Sequence, residues 1–170
     1  MSEPEVWLRG PLPDVPPLLQ PVAHSLLQCS EEVHAALRNL TPAQLWARPG
    51  GAASIGYHAR HAAGSLDRLL TYARGEGLST AQRDGLAGEG TPDLEEGAAE
   101  RLAETFDAAV HAALAQVSAT LERTLLEPRG VGRAHLPSTV IGLLFHAAEH
   151  TQRHAGQLVT TAKIVRGLRL

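Results

Sequence analysis

His146, His150 and His154 stand four residues apart in the stretch FHAAEHTQRHAGQ. Residues at that spacing share one face of a helix on consecutive turns, so their rings can meet at a common point. At about 100° per residue, with Leu143 as origin, His150 falls at about −20° and His154 at about +20°, and both face the core. Val140, Ala147, Leu158, Thr161 and Val165 share that stripe, whereas Glu149, Gln152, Lys163 and Arg166 project away. His146 lies at the edge, at about −60°. A buried polar group without a partner costs on the order of 1–3 kcal/mol, so two inward imidazoles need hydrogen bonds or a ligand.

The chemistry this spacing offers is metal ligation. Neutral imidazole binds a zinc-type ion at about 2.0–2.1 Å, and a catalytic site of that kind has three protein ligands and an open position. The third ligand must come from another helix, and SIGYHARHAAGSLDRLL offers His58 and His61. The apolar stripe there runs through Ile55, Ala62, Leu66, Leu69 and Ala73, and on that wheel His58 lies nearer the core. A site at the rim of the helices leaves His61 open as well. Hydrogen-bonded core histidines are the competing explanation, and the one that suits His24, His34 and His111. Thr151 stands where H-E-x-x-H needs its glutamate, which excludes that metalloprotease pattern. Glu31 with His34 makes one E-x-x-H pair, but the glutamate-rich partner helices of a di-iron bundle are missing.

The elements that must position these side chains follow from periodicity. Pro11, Pro13, Pro16 and Pro17 make residues 1–17 an extended lead-in. Leu19, Val22, Leu26, Val33 and Leu37 recur at helical spacing across Leu18 to Leu40, in a helix ending near Asn39. TPAQLWARPGG allows a short helical turn opened by Thr41 and Pro42, after which Pro49, Gly50 and Gly51 break the chain. A second helix runs from its N-cap Ser54 to Arg74 and is closed by Gly75 and Gly77. Residues 77–93 read as a long polar loop with room for one helical turn; such loops often carry function, and disorder is the alternative. A third helix spans Leu94 to Leu126, with Leu102, Phe106, Val110, Ala113 and Val117 on its buried stripe, and a fourth spans Ser138 to Arg166. No segment reads as a strand. The expectation is one all-α domain over residues 1–170, a four-helix bundle whose topology stays open.

Composition agrees. Only 4% of residues are aromatic while alanine and leucine abound, which suits packed helices better than a β-sandwich. Fifteen basic against eighteen acidic residues give a net charge of −3 with no basic run, so neither nucleic acid nor an anionic membrane is expected as a partner. No stretch approaches the roughly 20 apolar residues of a membrane span. The lone Cys29 excludes an intrachain disulfide, and MSEPEVWLRG has acids where a secretory signal has basic residues, so a cytoplasmic location is expected.

Three stretches in order, WLRGPLPDVPPLLQPVAH, SIGYHARHAAGSLDRLLTYARG and EHTQRHAGQL, resemble the DinB/YfiT-like superfamily of metalloenzymes over most of the chain. Members are four-helix bundles, often dimeric, with a divalent metal held by one histidine of the second helix and two of the fourth. The resemblance implies that His150 and His154 are the fourth-helix ligands and that His61, rather than the wheel's His58, is the second-helix ligand. His154, one residue ahead of Gly156-Gln157, carries its most specific mark. His58 and His146 then become neighbours of the ligands or substrate-facing groups, with plain structural roles equally open. Gln157 and Thr161 are the polar residues of the fourth helix suited to orienting an imidazole or water.

Three imidazoles leave a dication uncompensated and able to act as a Lewis acid on water, which allows hydrolysis. Some relatives use low-molecular-weight thiols in transfer or isomerisation reactions, so thiol S-transfer to a small molecule is the second route. No core-facing acid of the second or fourth helix presents itself as a general base. Imidazole suits zinc, nickel, iron and copper alike; zinc and nickel come first, with iron and manganese as the further ions to consider. The competing readings are a non-catalytic metal-binding bundle and a homodimeric helical protein whose histidines pair in its core.

Overall fold

Thr41, Ser54, Ser79 and Thr139 each lie just before a helix, and each side chain accepts a hydrogen bond from a backbone N–H of the first turn. These caps satisfy donors that the helix itself leaves unpaired, and so they set where each helix begins. The computed structural model describes residues 3–168. Among them are six α-helices: α1 (Gln20–Leu37), α2 (Pro42–Trp46), α3 (Ile55–Ala73), α4 (Thr80–Gly88), α5 (Ala98–Ala119) and α6 (Val140–Gly167). A two-stranded antiparallel sheet, β1 (Pro128–Val131) with β2 (Leu136–Thr139), completes a mostly helical fold. None of the described helices is long and apolar enough to cross a membrane.

The four long helices bury one another's apolar stripes: α3 packs against α6 and α5, and α1 packs against the same two. Leu26 and Val33 of α1, Ile55 and Leu66 of α3, Phe106 and Val110 of α5, and Leu144 and Leu158 of α6 are fully buried between them. Burying such side chains stabilises by about 1.5–3 kcal/mol each, which is the main force holding α3 and α6 face to face. That pairing brings the histidine-bearing turns together.

The structure corrects several expectations. The first two residues of the lead-in lie outside the described residues. The rest docks on α1, where the Val6 amide donates to Gln28 Oε1 (3.0 Å) and Gln20 Nε2 donates to the carbonyls of Leu12 and Val15 (both 2.9 Å). The third long helix is shorter than Leu94 to Leu126. It begins after Gly97, whose φ of 79° is a left-handed conformation, and it ends where Thr120 turns to extended backbone. The segment 77–93 contains α4, opened by a reciprocal Ser79–Gln82 capping box. Residues 128–139 form a hairpin where no strand was expected. Pro128, Gly130 and Pro137 all lower strand propensity, and the hairpin is anchored from outside, by Arg129 Nε donating to the Ala73 carbonyl at 2.8 Å.

Gly56 is a point of close packing. A Cβ there would lie 2.7 Å from the Trp46 ring. That ring is fixed because Trp46 Nε1 donates to the Asp93 carbonyl (2.8 Å) and the Arg60 guanidinium sits over its face (4.8 Å). Gly56→Ala is therefore expected to destabilise by about 1–3 kcal/mol through overpacking, read as a lower thermal midpoint.

Candidate metal centre

His61 on α3 and His150 and His154 on α6 each offer one ring nitrogen such that the three atoms lie within 4.8 Å of one another. His61 and His150 meet Nε2 to Nε2 at 3.1 Å, and the ring centroids of His61 and His154 are 4.5 Å apart. His58, which the helical wheel preferred, is 6% exposed, and its Nδ1 lies 3.0 Å from His154 Nδ1. The wheel put it nearer the core, and it is indeed more buried than His61, but the cluster forms on the flank of the stripe. Tyr57 stacks on His61 with centroids 5.4 Å apart and rings 12° from parallel, which fixes the plane of that imidazole.

The acid that orients His61 comes from outside the long helices. Glu89, the residue that ends α4, is 5% exposed and places Oε2 2.7 Å from His61 Nδ1. A carboxylate only accepts, so Nδ1 carries the ring proton and Nε2 presents its lone pair toward His150. Glu89 Oε1 accepts from Arg68 Nη1 at 2.8 Å, and Arg68 is itself 9% exposed, so the buried carboxylate is paired on both oxygens. Gly64 makes room for the pair: a Cβ there would lie 2.7 Å from Arg68 Nη1 and 2.8 Å from Glu89 Oε1. Helix α4 is held in place by Gln82 Nε2, which donates to Asp67 Oδ2 and Thr71 Oγ1 of α3, both at 2.7 Å. Nothing in the periodicity of residues 77–93 marks Glu89. The only available signal was one carboxylate between glycines in GLAGEGTP, within a segment suited to function.

The other expected neighbours divide. His146 is exposed, with its Nδ1 3.3 Å from Glu149 Oε2, although its ring stays 5.5 Å from that of His150. Gln157 is exposed and takes no part in the cluster, contrary to the expectation, while Thr161 is buried further along α6. Thr151 is fully buried and its hydroxyl donates to the Ala147 carbonyl at 2.7 Å. His34 and His111 are exposed rather than core residues; His34 pairs with Asp107 at 2.9 Å. Half-buried His24 approaches the Gly10 carbonyl at 3.1 Å. Cys29 offers no nucleophile, since burial pushes its thiol up to about 12 and Gln152 Oε1 accepts from it at 3.2 Å.

The donor set fits a divalent cation. Burial, and then the neighbouring His61, lower the pKa of His150 and bring that of His154 to about 4; burial followed by His61 also lowers that of His58. These imidazoles are neutral at physiological pH, the form that ligates metal. His150 Nδ1 is buried with no hydrogen-bond partner among the described residues, so the cluster does not satisfy itself internally.

The same numbers predict acid sensitivity of the metal-free chain. The unfolded chain protonates His154 near 6.5 and the folded chain near 4, so its contribution is complete above about 6.5 and is lost as pH falls toward 4. The urea midpoint of chelator-treated protein is expected to fall across that window, and to fall less steeply in His154→Asn.

Comparison with known proteins places this geometry in context. A family model described as the DinB superfamily matches residues 25–158, a span that contains all four clustered histidines and Glu89. No curated protein matches the chain.

Proposed function

The chain belongs to the DinB superfamily, and on that premise we propose that it is a metal-dependent enzyme acting on a small molecule, with His61, His150 and His154 as the ligands of one divalent ion. The carrying observation is the convergence of the three imidazoles beside Glu89, which sets the tautomer of His61. Helices α1, α3, α5 and α6 are, in this reading, the four-helix bundle that holds the ligands. A homodimer is supported by the resemblance to dimeric family members, and a cytoplasmic setting by the single cysteine.

A divalent ion held there supplies Lewis acidity toward water or a thiol. Zinc and nickel suit three imidazoles best, with iron and manganese as further choices. Glu89 keeps His61 Nε2 unprotonated through the Nδ1–H bond. His58 can do the same for His154 by accepting from His154 Nδ1, which leaves Nε2 of that ring free. Neither nearby carboxylate is spare for proton abstraction: Glu89 is engaged on both oxygens, and Glu149 pairs with Arg153 and His146. Hydrolysis of an unactivated substrate needs such a base more than thiol transfer does, because a thiol ionises near 8.5 before any activation. That difference favours thiol S-transfer to a small electrophile over hydrolysis.

The test is turnover by tag-free protein loaded in turn with zinc, nickel, iron or manganese. Chromogenic esters and thiol-dependent loss of an aryl halide serve as the two substrate classes. Thiol-dependent turnover abolished by chelation and restored by metal is expected. Loaded protein inert toward both classes would count against catalysis and favour a binding role.

A further inference from the structure

A cavity of about 790 Å3 lies between α3, α4 and α5, with Glu89 on its lining. None of the clustered histidines lines it. Its walls are largely apolar, with Leu70 from α3, Ala81 from α4, and Leu102, Ala109 and Ala112 from α5. Arg68 also lines it, and the guanidinium is only partly used. Nη1 donates to Glu89 Oε1 at 2.8 Å, while Nε and Nη2 have no protein partner among the described residues and are not sealed from solvent. A nearly buried guanidinium that lines a cavity and keeps an unused Nε–Nη2 edge is a planar two-donor fork, the geometry that receives a carboxylate.

The charge balance narrows the ligand. Four arginines and three acidic side chains line the cavity, and Glu76 pairs with one of the arginines from outside it. Two of the other arginines are engaged on carboxylates, Arg101 on Asp93 through Nε and Nη2 and Arg74 on Glu76, and the half-buried Arg60 donates through Nη1 to the Thr91 carbonyl and lies over the Trp46 ring. Arg68 is the more buried of the two arginines with unused donors, and a single guanidinium edge already beside Glu89 suits a monoanion better than a dianion. We propose that this cavity binds a small monocarboxylate with an apolar body, its head group on the Nε–Nη2 edge of Arg68 and its body against the alanines and leucines of α3, α4 and α5. The proposal stands apart from the metal reading. Glu89 touches both places, so the cavity abuts the ligand set of the candidate metal centre through one shared side chain.

Hexanoate is the probe, with hexanamide as the neutral and hexyl phosphate as the dianionic comparator. Binding to the full tag-free chain is followed by the NMR signal of the Arg68 Nε–H, identified by its loss in Arg68→Lys, with and without metal. Saturable binding in the millimolar range is expected for so small a ligand, with the Arg68 signal shifting. Hexanamide and hexyl phosphate are expected to bind at least about tenfold more weakly, in keeping with a charge-assisted, single-charge site. Arg68→Lys keeps the charge but loses the fork, and Ala112→Phe fills the cavity from an exposed position of α5 without touching the Arg68–Glu89 pair. Each is expected to weaken hexanoate about tenfold or more, and Ala112→Phe to do so while metal uptake persists. Equal binding of hexanamide, preference for hexyl phosphate, binding only when metal is present, retention in both variants, or no saturation would each overturn the proposal. Loss of metal uptake in the His150→Ala/His154→Ala chain would leave it standing.

Discussion

A His150→Ala/His154→Ala chain is expected to lose stoichiometric uptake of divalent metal while keeping its helical circular dichroism. The two imidazoles supply two of the three converging nitrogens, and the remaining His61 is a single ligand. Complete sets of protein ligands bind zinc with about 10–16 kcal/mol, so loss of most of a set lowers affinity by at least about a thousandfold. The fold should tolerate the change. Both rings are only half-buried, whereas the residues that join α6 to α1 and α3, such as Leu144, Ala155 and Leu158, are fully buried and untouched. Removing the rings also removes the orphaned His150 Nδ1 and the acid-sensitive His154, so the metal-free variant should lose less stability on acidification than the parent. Elemental analysis after dialysis, beside the parent protein, checks the first effect. A variant that retains one ion per chain would move the site elsewhere.

Glu89→Gln is the second large effect, and it separates orientation from ligation. Glutamine has one oxygen and one NH2 where the carboxylate has two acceptors. If the oxygen stays on Arg68 Nη1, the NH2 faces His61 Nδ1, which must then accept, and the ring proton moves to Nε2, the atom needed for metal. If the amide flips, His61 keeps its tautomer but Arg68 loses its acceptor and faces a donor. The acceptor behind His61 is lost in the first arrangement and loses its charge in the second, and metal binding is expected to weaken by about 10–100-fold. Glu89→Ala goes further, because it leaves the nearly buried Arg68 charge unpaired, at a cost on the order of 3–5 kcal/mol. Metal titrations of the glutamine variant and urea unfolding of the alanine variant measure the two effects. Unchanged metal affinity in Glu89→Gln would remove Glu89 from the account.

Much of this was legible because the informative features are local. The helix start at Ser54 follows from a side chain that caps the first turn, α6 begins within two residues of the expected Ser138, and the stripe through Leu143, Ala147 and Leu158 follows from a 3.6-residue period. The i, i+4 spacing of His150 and His154 places both on one face whatever the partner helix does. Choosing between His58 and His61 is harder, since it depends on how α3 is rotated against α6. An idealised wheel centres on the apolar stripe, whereas the cluster lies on its flank, and only the family resemblance pointed to His61. The role of Glu89 was not legible beyond its being one carboxylate between glycines. Its role requires α4 to fold back on α3 through Gln82, Asp67 and Thr71, contacts that residues 77–93 do not announce. The hairpin was missed for a related reason: its stability comes from Arg129 reaching the end of α3, not from its own strand propensity.

The central claim is that His61, His150 and His154 together hold one divalent ion. X-ray absorption at the zinc edge, on tag-free protein loaded with one equivalent of zinc and dialysed, tests it most directly. A retained ion with three imidazole nitrogens at about 2.0–2.1 Å is expected, reduced in number in His61→Ala. No retained ion, or one surrounded by oxygen ligands without the imidazole signature, would contradict it.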